Sequence, residues 1–99
     1  MDINQKITEE LGVKRWQVDA AVKLIDEGNT IPFIARYRKE ATGTLDDTQL
    51  RTLHERLQYL RGLEEKKEQV LSTIEEQGKL TEELKNQILS AQTMVEVED

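Results

Sequence analysis

Apolar side chains recur along the first part of the chain with the spacing of helices. The first predicted helix rests on three apolar residues at intervals of four, Ile3, Ile7 and Leu11. A second helix is predicted over residues 15–27, where the apolar side chains again share one face. Gly12 and Gly28 stand near the ends of these segments, where glycine readily takes the left-handed conformation that ends a helix. Helix, short turn and helix together predict a helix-turn-helix-like cluster.

The next segment has the most distinctive order of residues in the chain. Pro32 stands near its start, where the missing N–H of proline does no harm to a helix. Apolar residues follow, and then three cations around Tyr37. We predict a third, short helix over residues 31–40 and a loop over residues 41–44.

The longest predicted helix covers residues 47–77. Asp46 is suited to cap it, and Gln49 can bond back to the preceding backbone. Gly62 is the only glycine within it and the candidate position for a bend. The apolar positions with helical spacing are Leu50, Leu53, Leu57, Leu60, Leu63, Val70, Leu71 and Ile74.

A short antiparallel helix is predicted over residues 82–92, with Thr81 as its N-cap and Gly78 as the end of the long helix. At 1.5 Å per residue it reaches about 16 Å, so it covers only the far end of the long helix. The apolar stripe over residues 50–63 then needs another cover. We therefore expect an all-α fold in which the front helices pack on the first half of the long helix.

A coiled coil between chains is the alternative cover for this stripe. Glu64 and Lys67 argue against it, because they occupy positions where a coiled-coil seam requires apolar side chains. We therefore expect a monomer with residues 1–45 as the helix-turn-helix-like cluster and residues 46–99 as the long helix and its short return helix. Residues 93–99 have no cap and no periodicity, and we expect the natural protein to continue beyond them.

Composition and charge narrow the possible functions. The chain has 34% charged residues, a net charge of −6 and no cysteine, so it has no disulfide framework and no thiolate metal site. This agrees with a cytoplasmic location. No apolar run approaches the length of about 18 residues that a membrane span requires. The whole excess of negative charge falls in residues 46–99, so any contact with phosphate backbones is expected from the front half.

Five cations in the front half are the candidate contacts for nucleic acid or for an acidic partner: Lys14, Arg15, Arg36, Arg38 and Lys39. The first two lie where a DNA-reading helix-turn-helix makes base contacts, and the last three surround Tyr37. The alternative is a solvated helix face whose cations pair with acidic residues, beside a helix-turn-helix that serves packing alone. Trp16 is predicted to be a half-buried anchor near the turn.

Catalysis is not indicated by any pattern in the chain. The single histidine, His54, has no partners for a proton relay or a metal cage. No Gly-rich phosphate loop is present. We expect no enzyme activity, no metal and no cofactor. A solvated helix face is predicted for the alternating charges Arg61, Glu64, Glu65, Lys66, Lys67 and Glu68.

Three blocks of the sequence resemble the N-terminal region of the Tex family of bacterial transcription accessory proteins. Residues 24–40 read LIDEGNTIPFIARYRKE, residues 43–51 read GTLDDTQLR, and residues 75–81 read EEQGKLT. The resemblance extends over essentially the whole chain, and the block at 24–51 is the specific one.

This resemblance implies a larger protein that binds RNA or DNA. Tex proteins continue with a ribonuclease-H-like domain, helix-hairpin-helix modules and an OB-fold that binds RNA, and the ribonuclease-H-like domain lacks a complete catalytic set. The chain would then be an N-terminal fragment, and its partners would be the other domains and the transcription machinery. Scaffolding is the function expected for the segment, and direct nucleic-acid binding by its five cations is the alternative.

Overall fold

The computed structural model describes residues 1–93 and Val97, and within them it has six helices and no strand. The predicted all-α fold is confirmed. In chain order the helices are α1 (Ile3–Leu11), α2 (Arg15–Asp26), α3 (Ile31–Tyr37), α4 (Lys39–Thr42), α5 (Asp47–Glu76) and α6 (Glu82–Ser90). The chain divides into two compact units, Met1–Tyr59 and Leu60–Asp99. The domain division after residue 45 stays a prediction.

α1 contains its three predicted apolar residues, and α2 begins at the predicted residue 15 and ends at Asp26, one residue before the predicted end. Asp2 Oδ1 accepts a hydrogen bond from the Gln5 N–H at 3.2 Å, which satisfies one of the free N–H groups at the start of α1. Gly12 ends α1 with a φ of 67°, and Gly28 follows α2 with a φ of 93°. α1 and α2 pack against each other. The use of this pair as a helix-turn-helix motif stays a prediction.

The segment after α2 forms two helices, so the prediction of one helix over residues 31–40 was wrong. Arg38, with φ −127° and ψ 32°, interrupts the helical backbone between α3 and α4. Its carbonyl oxygen accepts the N–H and the hydroxyl of Thr42, each at 3.2 Å, which starts the new helix. Thr42 is buried, so the predicted loop over residues 41–44 begins with a packed helical turn instead.

Gly43 lies where α2 meets the end of α4. Gln17 Nε2 donates hydrogen bonds to the carbonyl oxygens of Thr42 at 3.1 Å and Gly43 at 3.0 Å. The backbone of Gly43 is left-handed, with φ 64°. A Cβ atom at this position would lie 2.6 Å from both Gln17 Nε2 and Trp16 Cη2. Only glycine therefore fits this junction without displacing its neighbours.

α5 begins with the predicted capping box. Gln49 N–H donates to Asp46 Oδ1 at 2.7 Å, and Asp46 N–H donates to Gln49 Oε1 at 3.0 Å. The helix continues to Glu76 and includes Gly62. A bend at Gly62 stays a prediction.

Within the first unit, the opening turns of α5 lie against the front helices. Arg56 in α5 donates from Nε and Nη2 to the two carboxylate oxygens of Glu10 in α1, at 2.7 and 2.8 Å. This confirms the expected cover for the first part of the apolar stripe. The buried apolar side chains of the unit are Ile7, Val18, Ala21, Val22, Ile34, Leu45, Leu50, Leu53 and Leu57.

The second unit contains the rest of α5 and the return helix α6. Gly78 takes a left-handed backbone after α5, and Thr81 Oγ1 accepts the Leu84 N–H at 3.1 Å at the start of α6. Both boundaries are as predicted, although α6 ends at Ser90 rather than at residue 92. The buried apolar side chains of this unit are Leu60, Leu63, Ile88, Ala91 and Val97.

Lys67 is buried, so its predicted place on a solvated helix face was wrong. It follows Leu60 and Leu63 at helical spacing and is 2% exposed. Its Nζ donates to Leu89 O at 2.9 Å and pairs with Glu64 Oε1 at 3.3 Å. The ammonium thus satisfies a carbonyl group at the negative end of α6, which makes a cation acceptable at a core position.

The chain end is described only in part. Val97 is buried, and its N–H donates to Thr93 O at 3.4 Å. The remainder of the irregular tail predicted over residues 93–99 lies outside the described residues.

Substitution of Gly43 by alanine tests the α2–α4 junction. Gly43→Ala should lower the free energy of unfolding by about 2–3 kcal/mol, because the left-handed backbone and the close contact add their costs. Gly12→Ala is the control, because Gly12 has nearly the same φ of 67° and nothing within 4 Å of an added Cβ. It should cost about 1–2 kcal/mol. Equal costs in urea unfolding would contradict the close contact at Gly43.

The Arg56–Glu10 pair should make stability depend on pH. The hydrogen bond from Arg56 holds the pKa of the Glu10 carboxyl below its usual 4.5. The pair therefore stabilises the folded state at pH values above the pKa of Glu10 in the unfolded chain. This stabilisation is lost as the pH falls through the lower pKa of Glu10 in the folded state.

Arg56→Met should lower the free energy of unfolding by about 1 kcal/mol at neutral pH, a modest loss because the pair is partly exposed. The loss should shrink as the pH falls below the ordinary pKa of a glutamate carboxyl. Urea unfolding over a range of pH measures this difference. Arg51→Met is the control, because Arg51 pairs with Asp47 on an exposed face of the same helix. A constant loss across the pH range for Arg56→Met would contradict the contribution of the pair.

Lys67→Met should loosen the second unit. The substitution keeps the buried stem but leaves Leu89 O without its donor, at a cost of about 1–3 kcal/mol. Hydrogen exchange of the α6 amides should accelerate in this variant. Lys85→Met, at an exposed position on α6, serves as the control and should change the exchange little. Unchanged α6 exchange in Lys67→Met would contradict the bond to Leu89.

Candidate functional site

The five candidate cations lie in two places within the first unit. Lys14 and Arg15 stand at the start of α2, and Arg36, Arg38 and Lys39 surround the junction of α3 and α4. α2 packs against both α3 and α4. The role of each cation as a contact for nucleic acid or for a partner stays a prediction.

Arg15 is already engaged by carboxylates of its own unit. Its Nε donates to Asp19 Oδ1 at 2.8 Å, and its Nη1 donates to Asp2 Oδ2 at 2.9 Å. Both bonds raise the pKa of Arg15 above its ordinary value, and the bond to Asp19 has the larger effect. The pKa of the Asp19 carboxyl is lowered, chiefly by the hydrogen bond from Asn4 and next by the hydrogen bond from Arg15. These two carboxylates largely neutralise the charge of Arg15, which weakens its attraction for an external phosphate.

The same pattern holds for Asp2. The hydrogen bonds from Arg15 and from the Gln5 N–H lower the pKa of its carboxyl below the ordinary value. Arg15 therefore joins the start of α1 to the first turn of α2. Lys14 is exposed beside it, and its backbone N–H donates to Gln17 Oε1 at 3.0 Å.

The two arginines at the α3–α4 junction contact aromatic rings, and Lys39 lies beside them in the sequence. The Arg36 guanidinium carbon is 5.2 Å from the ring centroid of Tyr37, and that of Arg38 is 5.0 Å from the ring centroid of Phe33. The two rings are themselves 5.2 Å apart. Cation–π contacts of this kind contribute about 0.5–1 kcal/mol at exposed sites. We name this group of five residues the arginine–aromatic surface: Phe33, Arg36, Tyr37, Arg38 and Lys39.

No cation of the arginine–aromatic surface joins an ion pair within residues 1–93 and Val97. The alternative of a solvated helix face, in which these cations pair with acidic residues, stays a prediction. An open hollow of about 410 Å³ lies here, lined by Arg36, Tyr37, Arg38, Lys39, Glu40 and Ala41. One acidic and three basic side chains give this hollow a positive balance.

Two large aromatic side chains are exposed at or near this surface. Tyr37 is 56% exposed, and Trp16 is 52% exposed. Trp16 lies against Gly43 at the end of α4, as the close approach of its Cη2 to that glycine requires. The side chains of Trp16 and Tyr37 thus retain accessible ring surface.

Three other features of the described part of the chain bear on its chemistry: metal-binding groups, the histidine and the apolar length of the helices. No group of acidic, histidine or cysteine side chains there could hold a metal ion. His54 is hydrogen-bonded to Gln58 at 3.2 Å. Over the same residues, none of the helices combines the length and the apolar character that crossing a bilayer requires.

The fold and this surface define the chain as an all-α domain with an exposed cationic and aromatic face. Residues 1–75 match the family described as "Tex-like protein N-terminal domain". The chain therefore belongs to the Tex-like N-terminal domain family, as the resemblance implied.

Curated relatives agree with this assignment. The chain is 58% identical over 99 residues to "Transcriptional accessory protein Tex" of Neisseria gonorrhoeae and spans 13% of that protein. It is 58% identical over 93 residues to "Protein YhgF" of Escherichia coli (strain K12), of which it covers 12%. It is 34% identical over 97 residues to the human "S1 RNA-binding domain-containing protein 1", of which it covers 10%. The chain thus spans about one eighth or less of these relatives.

Proposed function

We propose that this chain is a scaffolding and interaction module of a Tex-like transcription accessory protein. In this proposal its first unit docks other domains of the longer protein or the transcription machinery. The arginine–aromatic surface carries the proposal, because it combines exposed aromatic side chains with cations that join no ion pair among residues 1–93 and Val97, on a chain of net charge −6. A solvated helix face does not require that combination.

Binding of RNA or DNA is proposed for the full-length protein rather than for this segment. The human relative has RNA binding in its name, and the chain covers only 10% of that protein. We propose no catalytic role, a cytoplasmic location and a monomeric segment.

Direct nucleic-acid binding by the segment is the second candidate. Its support is that Arg36, Arg38 and Lys39 join no ion pair within the part of the chain that the structure describes, because such cations can displace counterions from a phosphate backbone. The engagement of Arg15 by Asp2 and Asp19 weighs against it. So does the excess of acidic over basic residues, 20 against 14.

Fluorescence anisotropy with labelled single-stranded RNA and duplex DNA separates these candidates. The scaffolding proposal expects that this chain binds neither nucleic acid specifically near physiological salt. Any residual dissociation constant should be weaker than about 10⁻⁴ M. Tight binding that falls steeply with salt would overturn it in favour of the second candidate. Arg36→Gln with Arg38→Gln should then flatten the salt dependence by about two units of slope.

A complementation assay tests the interaction role itself. The N. gonorrhoeae Tex protein without the segment that matches this chain would be produced separately and mixed with the chain. The proposal expects a complex in sedimentation velocity, because the chain should dock on the domains that the shortened Tex protein retains. Two independently sedimenting species would contradict docking onto those domains.

A further inference from the structure

The arginine–aromatic surface has the composition of an energetic centre in a protein interface. Tryptophan, tyrosine and arginine are the side chains most enriched among residues whose truncation costs the most binding energy. Arg36, Tyr37 and Arg38 are consecutive, and Trp16 stands at the other end of the four-residue helix α4. Such side chains are unusual on a surface that only faces water.

Each of the two arginines makes a ring contact that favours one placement of its guanidinium group. Each guanidinium lies about 5 Å from a ring centroid, and Arg38 Nη1 also donates to Tyr37 O at 3.1 Å. Other N–H groups of each guanidinium remain available to bind a carboxylate. Contacts that favour one placement of a side chain reduce the entropy that it loses on binding, so this arrangement favours recognition.

Charge complementarity indicates an acidic partner. Three cations and one carboxylate line the 410 Å³ hollow, and no cation there joins an ion pair within the described residues. An aspartate or glutamate side chain would supply the missing partner for an arginine. Exposed ring surface at Tyr37 and Trp16 would contact apolar side chains next to that carboxylate.

A protein segment fits this surface better than a nucleic acid does. The cations lie within four consecutive residues, whereas single-stranded nucleic acids use grooves that follow about 4–16 nucleotides. Arg15 adds little positive charge to this surface, because Asp2 and Asp19 already pair with it.

We propose that the arginine–aromatic surface, with Trp16 at its edge, is the docking site for an acidic protein segment that carries apolar side chains between its carboxylates. This inference rests on the proposed interaction function and names the surface and the chemistry of its partner.

The lone tryptophan makes the test specific to this surface. The probe is a tryptophan-free synthetic peptide of about ten residues in which Glu alternates with Leu and Phe, long enough to cross the surface at about 3.4 Å per residue. The control peptide has Gln in place of each Glu. Titration of either peptide into the chain is followed by Trp16 fluorescence and by anisotropy of a label on the peptide.

Two double variants of equal charge change separate the surface from net charge. Arg36→Gln with Arg38→Gln removes the proposed contacts, and Lys79→Gln with Lys85→Gln removes two exposed cations of the second unit. Circular dichroism would verify that both variants remain helical. We expect saturable binding of the acidic peptide, at least about tenfold weaker affinity in the arginine variant and less than about twofold change in the lysine variant.

Several results would overturn this inference. They are the absence of saturable binding, equal binding of the Gln peptide, and equal losses in the two variants. If single-stranded RNA bound at least about tenfold more tightly than the acidic peptide, and this binding depended on Arg36 and Arg38, the surface would be assigned to nucleic acid instead.

The complementation assay distinguishes failure of this inference from failure of the proposed function. If both the unchanged chain and the arginine variant form the complex equally well, the interaction function stands and this surface is not its site. If neither forms it, docking onto those domains fails as well.

Discussion

The structure of the first unit depends on the burial of one apolar face at the beginning of α5. Leu50, Leu53 and Leu57 are removed from water within this unit, and each fully buried leucine contributes about 1.5–3 kcal/mol. The short helices α1 to α4 are too short to be stable alone, so they depend on this shared core. The Arg56–Glu10 pair adds a specific bond between α1 and α5.

The candidate surface follows from the same packing. Thr42 is buried, and Gln17 holds the end of α4 through two backbone carbonyl groups. These contacts fix the short helix against α2 and so determine where the residues just before it lie. The exposed arginines are thus placed by buried groups rather than by contacts of their own with carboxylates. Loss of the glycine at the junction would disturb the surface without touching any of its side chains.

Local signals predicted the helices and most of their ends, because capping depends on neighbouring residues. Asp46 with Gln49 and Thr81 are examples in which the sequence pattern and the hydrogen bonds agree. The break at Arg38 had no such signal, and at this break the Arg38 carbonyl oxygen is bonded to Thr42, whose burial depends on residues distant in the sequence. Lys67 was misassigned because its charge outweighed its position in the apolar stripe, and its partner Leu89 is distant in sequence. The ring contacts of Arg36 and Arg38 likewise depend on rotamers that spacing alone does not determine.

Native-state hydrogen exchange of the Leu53→Ala variant tests the dependence of the front helices on α5 most directly. Truncation of this buried side chain should cost about 2–5 kcal/mol. Because α1, α2 and the first turns of α5 share one core, their slowest amides should lose protection together and by similar amounts. Protection of α1 and α2 that stays unchanged while only the α5 amides accelerate would contradict the account.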